Sequence, residues 1–211
     1  MLTVVIRDGG EPRVTQLTYE NLWKELKDIP NAELVVLKDW FSAVATTKNK
    51  YVSLVEPDCL VSSGYFASQL GLLKKDPYFR KLAMLSSVTG VNNWANRFYG
   101  YKIDTGHDNK ITPILYKRSG SVDAVQIAYF PGSIIRVSML KKVLPELNKD
   151  LSDLVRLSTD ISLAFWRQGD GNRIHLNPNA VYVTTENYVN DLGNFNIKAD
   201  DLLEKFERES I

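Results

Sequence analysis

Two carboxylates held apart by a proline close an apolar run, Tyr51-Val-Ser-Leu-Val-Glu56-Pro57-Asp58. Tyr51 to Val55 reads as a buried strand, because it is short, β-rich and almost wholly apolar. Pro57 has no N–H to give a sheet ladder, so the strand stops there. In open α/β sheets ligands bind outside the carboxyl ends of the strands. Carboxylate oxygens are also what hard cations such as Mg²⁺ and Mn²⁺ prefer. Asp58, with Glu56 bound directly or through water, is therefore a candidate for a divalent cation that bridges two phosphate oxygens. The same residues would equally make a polar turn whose aspartate caps the next helix.

Other groups collect on the same predicted edge. Asp39 follows the run Glu33 to Leu37, where it can accept hydrogen bonds from a base or a ribose hydroxyl, or cap a helix. Arg7 and Asp8 close the first apolar run. Later in the chain, Ser158-Thr159-Asp160 precedes the buried stretch Ile161-Ser-Leu-Ala-Phe-Trp166. Asp160 there suits either a general base or a residue favoured by a helix dipole. His175, after Arg173-Ile174, is a candidate third metal ligand or phosphate contact, and His107 carries little information. Trp94, Trp40, Tyr99 and Tyr101 are aromatics suited to packing on sugars or bases. There is no Gly-x-Ser-x-Gly elbow and no glycine-rich phosphate or dinucleotide turn. Phosphate would be held by metal and side chains.

The elements that must position these groups alternate early. Leu2 to Ile6, Glu33 to Leu37 and Tyr51 to Val55 read as strands. Between them lie a helix carrying Leu17, Leu22, Leu26 and Ile29, N-capped at Thr18, and a short one over Phe41 to Thr47. This β-α-β-α-β order predicts right-handed crossovers and a parallel sheet. A helix with Phe66, Leu70 and Leu73 follows, then a strand over Leu82 to Val88. Residues 89 to 110 lack a period and read as a long loop. Ile111 to Tyr116, Val122 to Phe130 and Ser133 to Arg136 read as extended, Ser138 to Leu147 and Leu151 to Gln168 as helices. Arg173 to Leu176 and Val181 to Thr184 read as brief strands, Ala199 to Glu209 as a terminal docking helix.

At 211 residues and 44% hydrophobic, with 26 basic against 25 acidic side chains, the chain suits one packed domain with no global pull on nucleic acid or anionic membrane. Cys59 is the only cysteine, which excludes an internal disulfide and a multi-cysteine zinc site. No signal peptide is recognisable and no apolar run reaches the ~20 residues of a membrane helix. The expectation is a soluble cytoplasmic protein.

These motifs resemble the GT-A fold glycosyltransferases, particularly the family 2-like enzymes that use nucleotide-diphosphate sugars. Glu56-Pro57-Asp58 stands where that family has an acid-x-acid motif binding the donor diphosphate through a metal. Lys38-Asp39 is similar to the strand end that contacts the nucleoside. Tyr129-Phe-Pro131-Gly132-Ser-Ile-Ile-Arg136 resembles the segment before the acceptor-side helix, and Thr159-Asp160 with its hydrophobic helix to Gly169 resembles the later acidic motif. Glu56 replaces the usual first Asp. Thr159-Asp160 replaces Glu-Asp, and counting back from Gly169 brings the catalytic position nearer Ser158.

The resemblance implies an α/β, GT-A-like (Rossmann-like) fold with a mixed, mainly parallel sheet flanked by helices and an α+β second half. As one domain over 1–211, it would comprise a nucleotide-sugar half (1–88), an acceptor half (89–198) and the terminal helix (199–211). It implies transfer of a sugar to an acceptor hydroxyl on a protein, glycan or modified nucleic acid. Mn²⁺ or Mg²⁺ would sit on Asp58 and Glu56, Arg7, Asp8, Asp39 and Trp94 would line the donor, and Asp160 would be the base if the enzyme inverts. Two other readings stand beside it. One is a sugar-nucleotide nucleotidyltransferase, faintly echoed in Gly9-Gly10-Glu-Pro-Arg13; the other is a non-catalytic module on the same fold.

Overall fold

The structure is a computed structural model that describes residues 1–9, 11–75, 82–91, 97–98, 100–104, 110–113, 122–147, 149, 154–168 and 174–184. Trp94, Tyr99, His107 and the helix expected over 199–209 lie outside these residues.

The first sixty residues fold as their alternation predicts. Strand β1 (Leu2–Arg7), helix α1 (Pro12–Leu26), strand β2 (Ala32–Leu37), helix α2 (Trp40–Thr46) and strand β3 (Tyr51–Val55) succeed one another. β1 pairs in parallel with both β2 and β3. Helix α1 begins six residues before the expected cap. Pro12 starts it, since a proline's fixed φ suits the first turn and its missing N–H costs nothing there. Thr18 is consequently an interior residue; it is buried and its hydroxyl donates to the Cys59 carbonyl at 3.4 Å.

A two-residue strand β4 (Leu60–Val61) and helix α3 (Tyr65–Lys75) lead to β5 (Met84–Val91). The described parts of 89–110, expected as a loop, are extended. They are the end of β5, strand β6 (Arg97–Phe98), and β7 (Tyr101–Asp104), which forms a hairpin with β8 (Lys110–Pro113). Next come β9 (Asp123–Ala124), β10 (Ile134–Arg136), α4 (Val137–Val143) with a 3₁₀ turn (Leu144–Glu146), α5 (Leu154–Arg167) and β11 (Ile174–Thr184). The two brief strands expected over 173–184 are one strand, with a register shift between Asn177 and Val181.

The main sheet runs β2-β1-β3-β10-β5-β11-β4, with β6 on β5 and β9 on β11. β10 and β4 are antiparallel to their neighbours, so β1, β2, β3, β5 and β11 point one way. One row crosses its middle through Val52, Ile135, Met84 and Ile174. Its aliphatic side chains, with Trp40, Phe66, Phe130 and Phe165, are the buried core.

Val125 donates its N–H to the Ile174 carbonyl at 3.1 Å and Ile127 forms an isolated bridge, but most of the backbone hydrogen bonding of residues 126–130 goes to helix α5. Ser158, Ser162 and Trp166 are four residues apart and line one face of the helix. The Trp166 indole N–H donates to the Gln126 carbonyl at 2.7 Å. Ser162 Oγ accepts from the Ala128 N–H at 3.2 Å, and Ser158 Oγ accepts from the Phe130 N–H at 3.1 Å. Each serine donates its own hydrogen to the carbonyl four residues back. The spacings agree: two extended residues span ~6.6 Å and four helical residues ~6 Å. The helix face thus takes the place of a neighbouring strand. Ser158→Ala or Ser162→Ala strands a buried N–H, so each is expected to lower the unfolding free energy by about 1–3 kcal/mol in urea denaturation.

Candidate functional site

Three parallel strands end together. Arg7 is level with Leu37, and Ile6 with Val55, so Arg7, Asp8, Lys38, Asp39 and the Glu56–Asp58 turn share the carboxyl edge of the sheet. Asp8 and Asp39 are exposed, while Arg7 and Asp58 are half-buried. Asp39 caps α2, accepting from the Phe41 N–H at 2.9 Å. Trp40, fully buried, donates its indole N–H to the Val55 carbonyl at 3.1 Å, fixing the cap to the end of β3. The Arg7 guanidinium carbon lies over the Trp40 ring at 5.5 Å from its centroid, within cation–π range, which places a positive charge at this edge.

Glu56 is placed differently from Asp58. It is 0% exposed, and its Oε2 accepts from the Tyr129 hydroxyl at 3.2 Å and the Tyr182 hydroxyl at 3.1 Å. The Glu56 N–H also donates to the Tyr182 oxygen at 3.1 Å. Its carboxylate is therefore enclosed, whereas Asp58 is half-buried, with its Oδ1 shielded from solvent.

The floor continues under the same strand end. Tyr65 Oη is 2.7 Å from Ser87 Oγ and 2.8 Å from the Gly132 carbonyl. The phenol has one hydrogen; with the carbonyl taking it, the serine donates to the phenol. Gly132 donates its N–H to Leu54 and adopts φ +77°, lying so close to the Tyr182 ring that a Cβ would meet it at 2.4 Å. The sequence points to no role for Tyr182 or Ser162, and marks Tyr129 only as the start of the segment before the acceptor-side helix. It offers Ser158 only as an alternative catalytic position, not as a partner of the Phe130 backbone. Only the i, i+4, i+8 spacing of Ser158, Ser162 and Trp166 could have flagged the serines.

Burial pushes the phenols of Tyr65 and Tyr182 and the thiol of Cys59 up; for Cys59 and Tyr182 the neighbouring acidic groups push further. Unfolded, these groups release protons near pH 9 (Cys59) and 10 (tyrosines). Because their folded values are raised, the stability they carry is intact below about pH 9 and is lost as pH climbs. Each group adds a slope of up to about 1.4 kcal/mol per pH unit. Urea midpoints are expected to be flat to about pH 8.5 and to fall steeply by pH 11, with a smaller fall in Tyr182→Phe.

The remaining candidates lie elsewhere. His175 is buried on β11, level with Leu85, three strands from β3 and so ~14 Å across the sheet. Asp160 lies in the middle of α5, not at a helix start, so the dipole argument for it lapses. It is half-buried and, at 100° per residue, roughly 160° around the helix from the Ser158 face. Among the described residues no three His, Cys, Asp or Glu side chains converge as a metal cage. A cation shared with a diphosphate needs only one or two carboxylates, the rest being phosphate oxygens and water. Asp58, half-buried just past the end of β3 on the edge that also carries Arg7, fits that kind of site.

The arrangement is a glycosyltransferase-like fold with an acidic turn at the carboxyl edge of its sheet. A crystal structure of S. aureus TarS superposes with a TM-score of 0.53 over 88% of this chain and 36% of that chain, at 11% identity. TarS 1–349 in complex with UDP-GlcNAc gives 0.53 over 88% of this chain and 58% of that one, at 10% identity. TarS 1–349 in complex with UDP gives 0.52, 88%, 60% and 12%. The chain thus spans 36% to 60% of the length of the proteins it matches. No family model and no curated protein matches the sequence. No helix among the described residues is long and apolar enough to cross a membrane.

Proposed function

We propose that the protein is a nucleotide-sugar-dependent glycosyltransferase whose donor diphosphate lies over the carboxyl edge of β1, β2 and β3. The observation that carries this reading is the convergence of Arg7, Asp39 and Asp58 at one strand edge. The fold shared with TarS, solved with UDP-GlcNAc and with UDP, supports it. Asp58 holds a divalent cation, Mn²⁺ or Mg²⁺, which when bound offsets the charge on the leaving diphosphate. Arg7, held over Trp40, adds a positive charge at the same strand edge. Asp39 offers its exposed carboxylate to the nucleoside while its cap bond keeps the side chain in place. The acid-x-acid likeness to the GT-A family 2 enzymes belongs to the same proposal. Asp160 is the only carboxylate on α5 and takes the acceptor proton if the reaction inverts.

The test is a thermal-shift screen of UDP- and GDP-sugars with and without Mn²⁺. A rise in melting temperature that needs both nucleotide and metal supports the reading. No rise with any donor overturns it. Turnover that survives Asp160→Asn would move the base elsewhere.

A further inference from the structure

The first acid of the turn is the odd one. Glu56 occupies a position at which a metal ligand would need an open carboxylate, yet it is 0% exposed and one of its oxygens receives two phenol hydrogens. Burying a carboxylate costs several kcal/mol unless its hydrogen bonds are good. What those bonds connect is informative. Tyr129 belongs to the extended segment bound along α5 through Ser158 and Ser162. Tyr182 belongs to β11, and its ring closes against Gly132. The turn is further tied to α1 through Thr18 and the Cys59 carbonyl, and to α2 through Trp40 and the Val55 carbonyl. One buried carboxylate thus joins the end of β3, segment 126–132 and β11 directly below Asp58.

We propose that Glu56 is a positioning residue and not a metal ligand: it anchors the Pro57–Asp58 turn to Tyr129 and Tyr182 and thereby fixes where the Asp58 carboxylate stands. This rests on the nucleotide-sugar reading for what Asp58 does. It also accounts for glutamate at this position. An aspartate is one methylene shorter and would not bring its carboxylate within reach of both phenols from the same backbone. Pro57 completes the device, because its fixed φ transmits the placement of Glu56 to Asp58 with little slack.

The experiment titrates Mn²⁺ into each protein with UDP present, by calorimetry, and adds the thermal shift with UDP alone and with UDP plus Mn²⁺. Variants are Glu56→Gln, Tyr129→Phe, Tyr182→Phe and, as reference, Asp58→Asn. Glutamine keeps a carbonyl oxygen for the phenols, so Glu56→Gln is expected to hold Mn²⁺ affinity within about threefold. Tyr129→Phe and Tyr182→Phe, which touch no ligand, are expected to weaken it about three- to tenfold. The double variants with Glu56→Gln should be less than additive, because the residues act as one unit. The proposal is overturned if Glu56→Gln loses Mn²⁺ as severely as Asp58→Asn while the phenylalanine variants bind normally. If the wild-type protein takes up no UDP with Mn²⁺, the donor-site reading itself fails and the positioning role falls with it. The phenylalanine variants each remove one oxygen, so the test survives any single variant that fails to fold.

Discussion

Asp58→Asn is expected to remove metal-dependent donor binding while leaving the apo protein about as stable as wild type. The substitution keeps the shape of the side chain and removes its charge, and Asp58 is only half-buried. A wild-type protein held at 100 times its donor Kd gains ~2.7 kcal/mol. For a chain of this length that is a rise of roughly 5–10 °C in melting temperature. Loss of the ligand is expected to weaken donor binding about 100-fold. At the same donor concentration the gain shrinks to ~0.4 kcal/mol, a shift of about 1 °C. Turnover should fall further, since the cation is needed most where charge develops on the departing diphosphate; kcat/KM is expected to drop at least about 100-fold. A turn that served only as a helix cap would give the opposite pattern, with a lower apo melting temperature and an unchanged response to donor. The nucleotidyltransferase reading is separated by product: release of pyrophosphate from a nucleoside triphosphate and a sugar phosphate in place of sugar transfer.

The half of the site built by adjacent strands was legible in the sequence, and the half built by distant contacts was not. Leu2 to Ile6, Glu33 to Leu37 and Tyr51 to Val55 are short apolar runs with acids at their ends, and parallel pairing of near neighbours brings those ends to one edge. Local pattern sufficed there. Tyr129 and Tyr182 reach Glu56 across 73 and 126 residues of chain. No spacing rule reads a contact that long. The placement of β10, antiparallel between β3 and β5, is equally invisible, because three residues such as Ile134–Arg136 carry no direction. Thr18 reads as a persuasive cap by residue type, but Pro12 gives an earlier start, and Thr18 is buried inside the helix with its hydroxyl turned to the Cys59 carbonyl. Asp160 reads as lying near a helix start because Ser158-Thr159-Asp160 looks like a polar opening or interruption ahead of the apolar run from Ile161. Ser158 instead turns inward to satisfy the backbone of Phe130, and the helix runs through.

Gly132→Ala is expected to be among the most damaging single-methyl additions in the described chain. Two penalties coincide there. At φ +77° an alanine pays for the left-handed backbone, about 1–2 kcal/mol. Its Cβ would also stand 2.4, 2.8 and 2.9 Å from three atoms of the Tyr182 ring. That ring has no room to yield: it is fully buried, and its hydroxyl is held between the Glu56 N–H and the Glu56 carboxylate. Overpacking of this kind adds about 1–3 kcal/mol. The expected total is about 2–5 kcal/mol, or roughly 5–15 °C in melting temperature. Gly64→Ala supplies the control, since Gly64 has φ +69° and nothing within 4 Å of an added Cβ. It should cost only the backbone share. The difference between the two alanines therefore measures the contact with Tyr182, and it should vanish when both are made in a Tyr182→Ala background. Because Tyr182 holds Glu56, Gly132→Ala should also weaken Mn²⁺-dependent donor binding, an effect that Gly64→Ala should not share. Equal losses of stability and of donor response for the two glycines would show that the floor beneath the acidic turn is not built as described.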